Sequence, residues 1–132
     1  MANYTYFVMT PGADWRSYVH YTDGTEGNYV KFGDSEHDHD DLGIRNAYRT
    51  HNPDIGVAAV MPSSTLTNPG LGTRLKHVMI NAGCQRVEGT AEWFFLPKAN
   101  AQKLFAAMSK WDSKEITVNN YAALVNAVEN SV

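Results

Sequence analysis

The sequence predicts an α+β domain, and two features of its pattern lead to that fold class. Segments with the strict apolar/polar alternation of a β-strand come mainly early in the chain. Segments with apolar residues three and four positions apart, as on one face of an α-helix, come mainly later. Because strands precede helices rather than alternating with them, the pattern favours α+β over a doubly wound parallel sheet.

Strand-like segments are bounded by turn residues. Tyr4–Thr10 alternates aromatic and β-branched residues and is closed by a Pro-Gly turn. Residues 55–61 form an apolar stretch between Pro53 and Pro62, which is typical of a buried strand. Further strands are predicted over residues 15–21, 28–33 and 92–96.

Helix-like segments are marked by their apolar spacing and by residues that end or cap a helix. Leu75 and Met79 lie one turn apart, and Gly83 is placed to end their helix. Asn119 or Asn120 is predicted to cap the last helix. The predicted helices cover residues 42–49, 73–81, 99–111 and 121–128.

Length and composition predict one domain over residues 1–132, with a core over about 4–96 and a helical part over 97–132. The chain is 43% hydrophobic and 19% charged, as ordinary globular proteins are. It has no apolar run of membrane-spanning length and no signal-peptide pattern. One cysteine, Cys84, excludes an internal disulfide and fits a reducing compartment. These features predict a cytoplasmic protein that does not enter membranes.

The charge distribution matters more than the net charge of −3. Five of the 14 acidic residues fall in the run 34–41, which leaves nine acidic residues against 11 basic ones elsewhere. A local basic surface that binds nucleic acid is therefore compatible with the composition.

Several short motifs occur in a fixed order along the chain. They are Tyr6 in the first strand, Lys31-Phe32-Gly33 at the end of another strand, Arg45 followed by Asn52-Pro53, and Glu92-Trp93-Phe94. In this order the chain resembles the GIY-YIG nuclease superfamily, especially its phage-associated branch with a lysine in the second motif and a terminal Glu-Trp-Phe. The resemblance extends over about residues 4–96.

The resemblance implies a small antiparallel sheet of about three strands flanked by helices, and hydrolysis of DNA phosphodiester bonds with Mg²⁺ or Mn²⁺. It implies catalytic roles for Tyr6, Lys31 and Arg45. Arg45 would bind the scissile phosphate, and Arg49, one turn further along the same face, would add a second phosphate contact. A Lewis acid and a guanidinium suit the charge that develops on the phosphoryl oxygens. If the chain is phage-encoded, it would act in the cytoplasm of the host cell.

Two positions depart from the family pattern. Lys31 replaces the usual tyrosine of the second motif, although this branch accepts lysine there. The glutamate expected four residues before His77 is Thr73, and a threonine hydroxyl is a poor ligand for Mg²⁺. Glu88 and Glu92 are the alternative carboxylates if the fold brings them to this place.

The acidic run 34–41 contains His37 and His39, and carboxylates with imidazoles can collect Zn²⁺, Ni²⁺ or Mn²⁺. Its contiguous spacing does not match a closed tetrahedral site, so a solvated loop with adventitious metal binding is predicted. Such a loop would repel nucleic acid or face a basic partner.

Three functions remain open from the sequence. The first is a metal-dependent endonuclease. The second is an inactive module that keeps the scaffold to bind nucleic acid or a host protein, as a phage inhibitor or accessory protein would. The third is a ligand-binding or protein-binding domain of unrelated fold, in which Tyr6 is only a strand aromatic and Lys31, Arg45, Arg49 and His77 are solvated surface residues. The missing glutamate favours the second, and the retained tyrosine, lysine and arginine favour the first.

Overall fold

The fold is described from a computed structural model, which covers residues 3–10, 19–20, 24–35, 43–47, 55–87, 89–90 and 92–132. The strands in these residues are β1 (Tyr4–Thr10), β2 (Val19–His20), β3 (Glu26–Ser35), β4 (Gly56–Pro62), β5 (Gln85–Arg86) and β6 (Phe94–Pro97). The helices are α1 (residues 43–47), α2 (Leu71–Asn81), α3 (Lys98–Ser109) and α4 (Tyr121–Glu129). Among the described residues, no helix combines the length and the apolar character that crossing a bilayer would require.

The strands form one sheet in the order β4-β1-β3-β6-β5, with β2 paired to β3, and every pairing is antiparallel. The α+β class, with a sheet flanked by helices, is therefore confirmed. The described part of the sheet has six strands rather than about three. Two of the additional strands, β2 and β5, contain two residues each, which is too short for any alternation to show in the sequence.

The main core lies between one face of the sheet and helices α2, α3 and α4. Phe7 of β1 contacts Phe32 of β3, with ring centroids 4.9 Å apart. Each helix contributes fully buried residues spaced four apart, as the predicted apolar stripes require. These helix residues are Leu71, Leu75, Met79, Leu104, Met108, Leu124 and Val128.

The outer edge of β4 is covered by the segment that follows α3. Val60 donates its N–H to Asp112 Oδ1 at 2.9 Å and accepts the N–H of Ser113 at 2.9 Å. Further along, Ile116 donates its N–H to the carbonyl of Pro62 at 2.8 Å. This cover removes the exposed hydrogen-bonding groups of an edge strand, which would otherwise pair with other chains.

The predicted elements are present with small shifts at their ends. β1 has the predicted bounds, β3 is longer than 28–33, and β4 is shifted one residue from 55–61. Of the predicted strand 15–21, the structure describes β2, and of the predicted helix 42–49 it describes α1. The other residues of both segments lie outside the described ones.

The ends of α2 and α4 show where local signals succeeded and failed. Gly83 ends α2 with φ +84°, and the N–H groups of Gly83 and Cys84 bond to Ile80 and Met79, as in a Schellman motif. Asn120 precedes α4 as predicted, but its side chain does not cap the helix. Its Oδ1 accepts the N–H of the preceding Thr117 instead, at 2.8 Å.

Candidate functional site

Tyr6 and Lys31 lie on the sheet face opposite the main core. Tyr6 pairs with Gly33 and Lys31 pairs with Val8, while the intervening residues of both strands enter the core. Lys31 Nζ lies 5.9 Å from the ring centroid of Tyr6 and 5.7 Å from that of Trp93. The two rings therefore hold the ammonium group in favourable cation–π positions.

The ring of Tyr6 rests on Gly33. A Cβ atom at Gly33 would lie 2.4 Å from Cζ and from the hydroxyl oxygen of Tyr6. The second-motif glycine is thus required for close packing, and Tyr6 keeps its position because position 33 has no side chain.

Lys31 also makes an ion pair with Glu92. Nζ lies 2.8 Å from Glu92 Oε2, and the Lys31 side chain is 14% exposed while that of Glu92 is 56% exposed. The hydrogen bond from Lys31, its charge and a smaller contribution from Lys76 lower the pKa of Glu92. Glu92 is therefore held in its ionised form beside the two motifs.

A pocket of about 230 Å³ lies between the end of β3 and the first turn of α2. Its polar lining comprises Gly33, Asp34, Gly72, Thr73, Lys76 and Glu92. Thr73, where the resemblance leads one to expect a glutamate, and Glu92, one of the two alternative carboxylates, thus line the same pocket. We call this space the β3–α2 pocket.

Asp34 is a member of this pocket that sequence reasoning missed. It was expected in a solvated acidic loop, whereas it belongs to β3. Its Oδ1 accepts the N–H of Gly72 at 2.8 Å and the hydroxyl of Thr5 at 2.6 Å. The N-cap residue of α2, Gly70, offers no side-chain hydrogen bond, so Asp34 caps the helix from a neighbouring strand.

The glycines at the start of α2 make room for that carboxylate. A Cβ atom at Gly70 would lie 2.6 Å from Asp34 Oδ2, and one at Gly72 would lie 2.9 Å from Asp34 Cγ. Gly70 and Gly72 form a Gly-x-Gly pattern at the start of a helix that has no capping side chain of its own. This pattern is the sequence signal for a cap supplied by a residue distant in sequence, here Asp34.

Arg45 is engaged at a different part of the fold. Its Nη2 pairs with Asp112, and its Nη1 donates to the carbonyl of Val57 in β4 at 3.3 Å. The Arg45 side chain is 19% exposed, so Arg45 is not the solvated surface residue of the third alternative. The catalytic and phosphate-binding roles predicted for Arg45 stay predictions. Asp112 lies along the outer edge of β4, and β4 is two strand spacings, about 10 Å, from the strand that carries Lys31.

His77 is exposed on α2 and lines a groove between α2 and α4, together with Thr73, Arg74 and Tyr121. Arg49, Glu88 and residues 36–41 of the acidic run lie outside the described residues. The structure thus brings together Tyr6, Lys31, Thr73 and Glu92, with His77 on the neighbouring groove.

The donor atoms of the β3–α2 pocket do not fit a divalent cation as they stand. Mg²⁺ is commonly held by one or two carboxylates and several waters. Here Asp34 already accepts two hydrogen bonds, Glu92 accepts one from Lys31, and Lys76 places a second ammonium group at the pocket. Among the described residues no three His, Cys, Asp or Glu side chains are grouped for metal binding.

Cys84 is half-buried, and burial raises the pKa of its thiol, which disfavours the nucleophilic thiolate.

Comparisons of the chain with protein-family models, curated proteins and solved structures gave no match. The resemblance to GIY-YIG nucleases therefore rests on the motifs quoted above and stays a prediction.

Proposed function

We propose that this chain is a GIY-YIG-like endonuclease scaffold that binds DNA, and that its cleavage activity is weak because its metal position has degenerated. One observation carries this proposal. Thr73 lines the β3–α2 pocket where the family resemblance expects a carboxylate, and the two carboxylates that share the pocket are bonded to protein groups.

The retained motifs support binding to a phosphate backbone. Lys76 places an ammonium group in the β3–α2 pocket, and Lys31 carries its charge between two aromatic rings beside it. Tyr6 presents a phenol group next to Gly33. Lys76 and Tyr6 can contact a phosphodiester directly, whereas Lys31 is paired with Glu92 and the guanidinium of Arg45 is paired with Asp112.

An active endonuclease that uses Mg²⁺ or Mn²⁺ is the second candidate function. The observation that favours it is the presence of Glu92 in the same pocket as Thr73. In that case Glu92 would have to leave Lys31 in order to serve as a ligand, and Lys31 would become available to the phosphate. Binding to a protein partner through the acidic run 34–41 is a further alternative, on residues that mostly lie outside the described ones. In each case we place the chain in the cytoplasm, in agreement with its single cysteine.

Cleavage and binding of the same DNA distinguish these functions. Loss of a catalytic metal removes several kcal/mol of transition-state stabilisation, and each 1.4 kcal/mol is about a factor of ten in rate. We therefore expect the wild-type chain to bind a labelled DNA duplex and to cleave it slowly or not at all with Mg²⁺ or Mn²⁺. Thr73→Glu should increase cleavage, and Thr73→Gln is the matched control of similar size without the charge.

Two results would change this assignment. Rapid metal-dependent cleavage by the wild type, abolished in Glu92→Gln and kept in the exposed control Glu115→Gln, would establish the active endonuclease. No binding to DNA under any of these conditions would remove DNA as the partner.

A further inference from the structure

The groove between α2 and α4 carries a cation that the β3–α2 pocket does not use. The groove has a volume of about 280 Å³. Arg74 of α2 and Tyr121 of α4 form its sides, and Thr73, His77 and Asn81 complete its polar lining. Thr73 lines both the groove and the β3–α2 pocket, so the two concave surfaces meet at the first turn of α2.

Arg74 is held in place at two points. Its Nε donates a hydrogen bond to the carbonyl of Pro69 at 2.9 Å, and its guanidinium carbon lies 5.4 Å from the ring centroid of Tyr121. Among the residues that the structure describes, none accepts a hydrogen bond from the two Nη groups, so these groups can bind an acceptor on another molecule. A guanidinium fixed by a carbonyl and a ring is preorganised for a planar oxyanion, because its fork matches phosphate geometry.

The charge around Arg74 differs from that in the β3–α2 pocket. In that pocket Lys76 lies with Asp34 and Glu92, whereas none of the acidic residues that the structure describes lines the groove. Helix α2 contains Arg74, Lys76 and His77 and no Asp or Glu. The groove is thus an electropositive surface on a chain whose net charge is −3, and it fits an anionic partner by charge complementarity.

We propose that the α2–α4 groove binds a phosphate of the DNA backbone, with Arg74 as the charged contact and His77 and Asn81 as hydrogen-bond donors. This inference rests on the proposed function, and it assigns DNA contact to α2 instead of the helix that carries Arg45. The bound strand runs past Thr73 from the groove to the β3–α2 pocket, so the two surfaces hold the same backbone.

A phosphate contact has a characteristic salt dependence. Each neutralised phosphate contributes about 0.9 to the slope of log affinity against log salt concentration, so one contact is worth about eightfold in affinity at 0.1 M relative to 1 M salt. Arg74→Gln should therefore reduce that slope by about one and weaken binding about eightfold at 0.1 M salt. His77→Ala removes a hydrogen-bond donor and should weaken binding about two- to tenfold.

The experiment is fluorescence anisotropy of a labelled DNA duplex, titrated with the full chain over a series of salt concentrations. Lys103→Gln is the matched control, because it removes one positive charge from an exposed position on α3. Arg74→Lys keeps the charge and should retain most of the slope. Circular dichroism melting of each variant shows that it is folded. Should Arg74→Gln fail to fold, His77→Ala decides the question.

The outcomes separate this inference from the proposed function. If the wild type binds DNA and Arg74→Gln matches Lys103→Gln in both affinity and slope, the groove is not a DNA site, and an acidic protein segment becomes the ligand to test there. If Arg74→Gln does not fold, wild-type affinity of His77→Ala has the same meaning. If the wild type does not bind DNA at all, the proposed function fails and this inference fails with it.

Discussion

Asp34 should stabilise the protein by holding the first turn of α2 against β3. The perturbation is Asp34→Ala, which removes the acceptor for the Gly72 N–H and for the Thr5 hydroxyl. Thr5 is fully buried and keeps a second partner, Ser63, at 2.9 Å, so its hydroxyl does not become unsatisfied. The loss is therefore mainly that of a helix cap and of a charge at a helix N-terminus.

The magnitude follows from these contacts. Loss of an N-cap acceptor costs about 1 kcal/mol, and loss of a negative charge from the first turn costs about 0.3–1 kcal/mol. The hydrogen bond from Thr5 adds up to about 1 kcal/mol, of which the contact with Ser63 preserves a part. We expect a total near 2 kcal/mol, which for 132 residues lowers the melting temperature by about 7 °C.

Thermal unfolding followed by circular dichroism measures this change. Asp34→Asn keeps an acceptor oxygen and loses the charge, so it should fall about midway between the wild type and Asp34→Ala. Glu115→Ala is the control, since an exposed acidic residue without such contacts should change stability by less than about 0.5 kcal/mol. The capping role is refuted if Asp34→Ala melts at the temperature of Glu115→Ala.

Three other predictions follow from contacts of the fold and the site. Gly27→Ala should cost more than about 2 kcal/mol in urea unfolding, because its Cβ would lie 2.0 Å from a backbone carbonyl oxygen of β6; wild-type stability would show that the strands do not pack so closely. Arg45→Ala should cost about 1–2 kcal/mol by removing the cationic partner of Asp112, and the same loss in an Asp112→Ala background would argue against the pair. Lys31→Met should raise the pKa of Glu92 in an NMR titration, and an unchanged pKa would rule out the ion pair. Because the pair lowers that pKa in the folded state, its stabilisation is present at neutral pH and is lost as the pH falls through the lowered value.

The fold was predictable where local pattern decides it. Tyr4–Thr10 was located without error because an alternating run ends at a Pro-Gly turn, and Gly83 ends α2 because the chain needs a positive φ there. The start of α2 was predicted two residues late, at Thr73 instead of Leu71. The reason is physical, since this helix has no capping side chain of its own and takes one from Asp34.

The site was predictable only in part. The motifs located Tyr6 and Lys31, and the pairing of β1 with β3 places them together. The partners of the charged groups are distant in sequence, 61 residues for Lys31 with Glu92 and 67 for Arg45 with Asp112. Spacing along the chain has no information on such pairs, so the ion pair between Arg45 and Asp112 could not be predicted.

The charges in and around the β3–α2 pocket connect two of its features. One is Thr73 at the position where the resemblance leads one to expect a glutamate, and the other is the ion pair between Lys31 and Glu92. Lys76 of the lining, and Lys31, which pairs with Glu92 from outside the lining, stand against the carboxylates of Asp34 and Glu92, so the formal charges of the lining and of this pairing lysine cancel. A divalent cation added to a neutral pocket has no net attraction to offset the loss of its hydration, whereas Thr73→Glu would give the pocket a net negative charge. The carboxylate introduced by Thr73→Glu would also compete with Glu92 for Lys31. Either Glu92 would then be free to bind the metal, or Lys31 would be free to bind the phosphate. With Thr73 at this position, the charges of the pocket are balanced within the protein. The pocket then favours binding of a phosphate over metal-dependent cleavage.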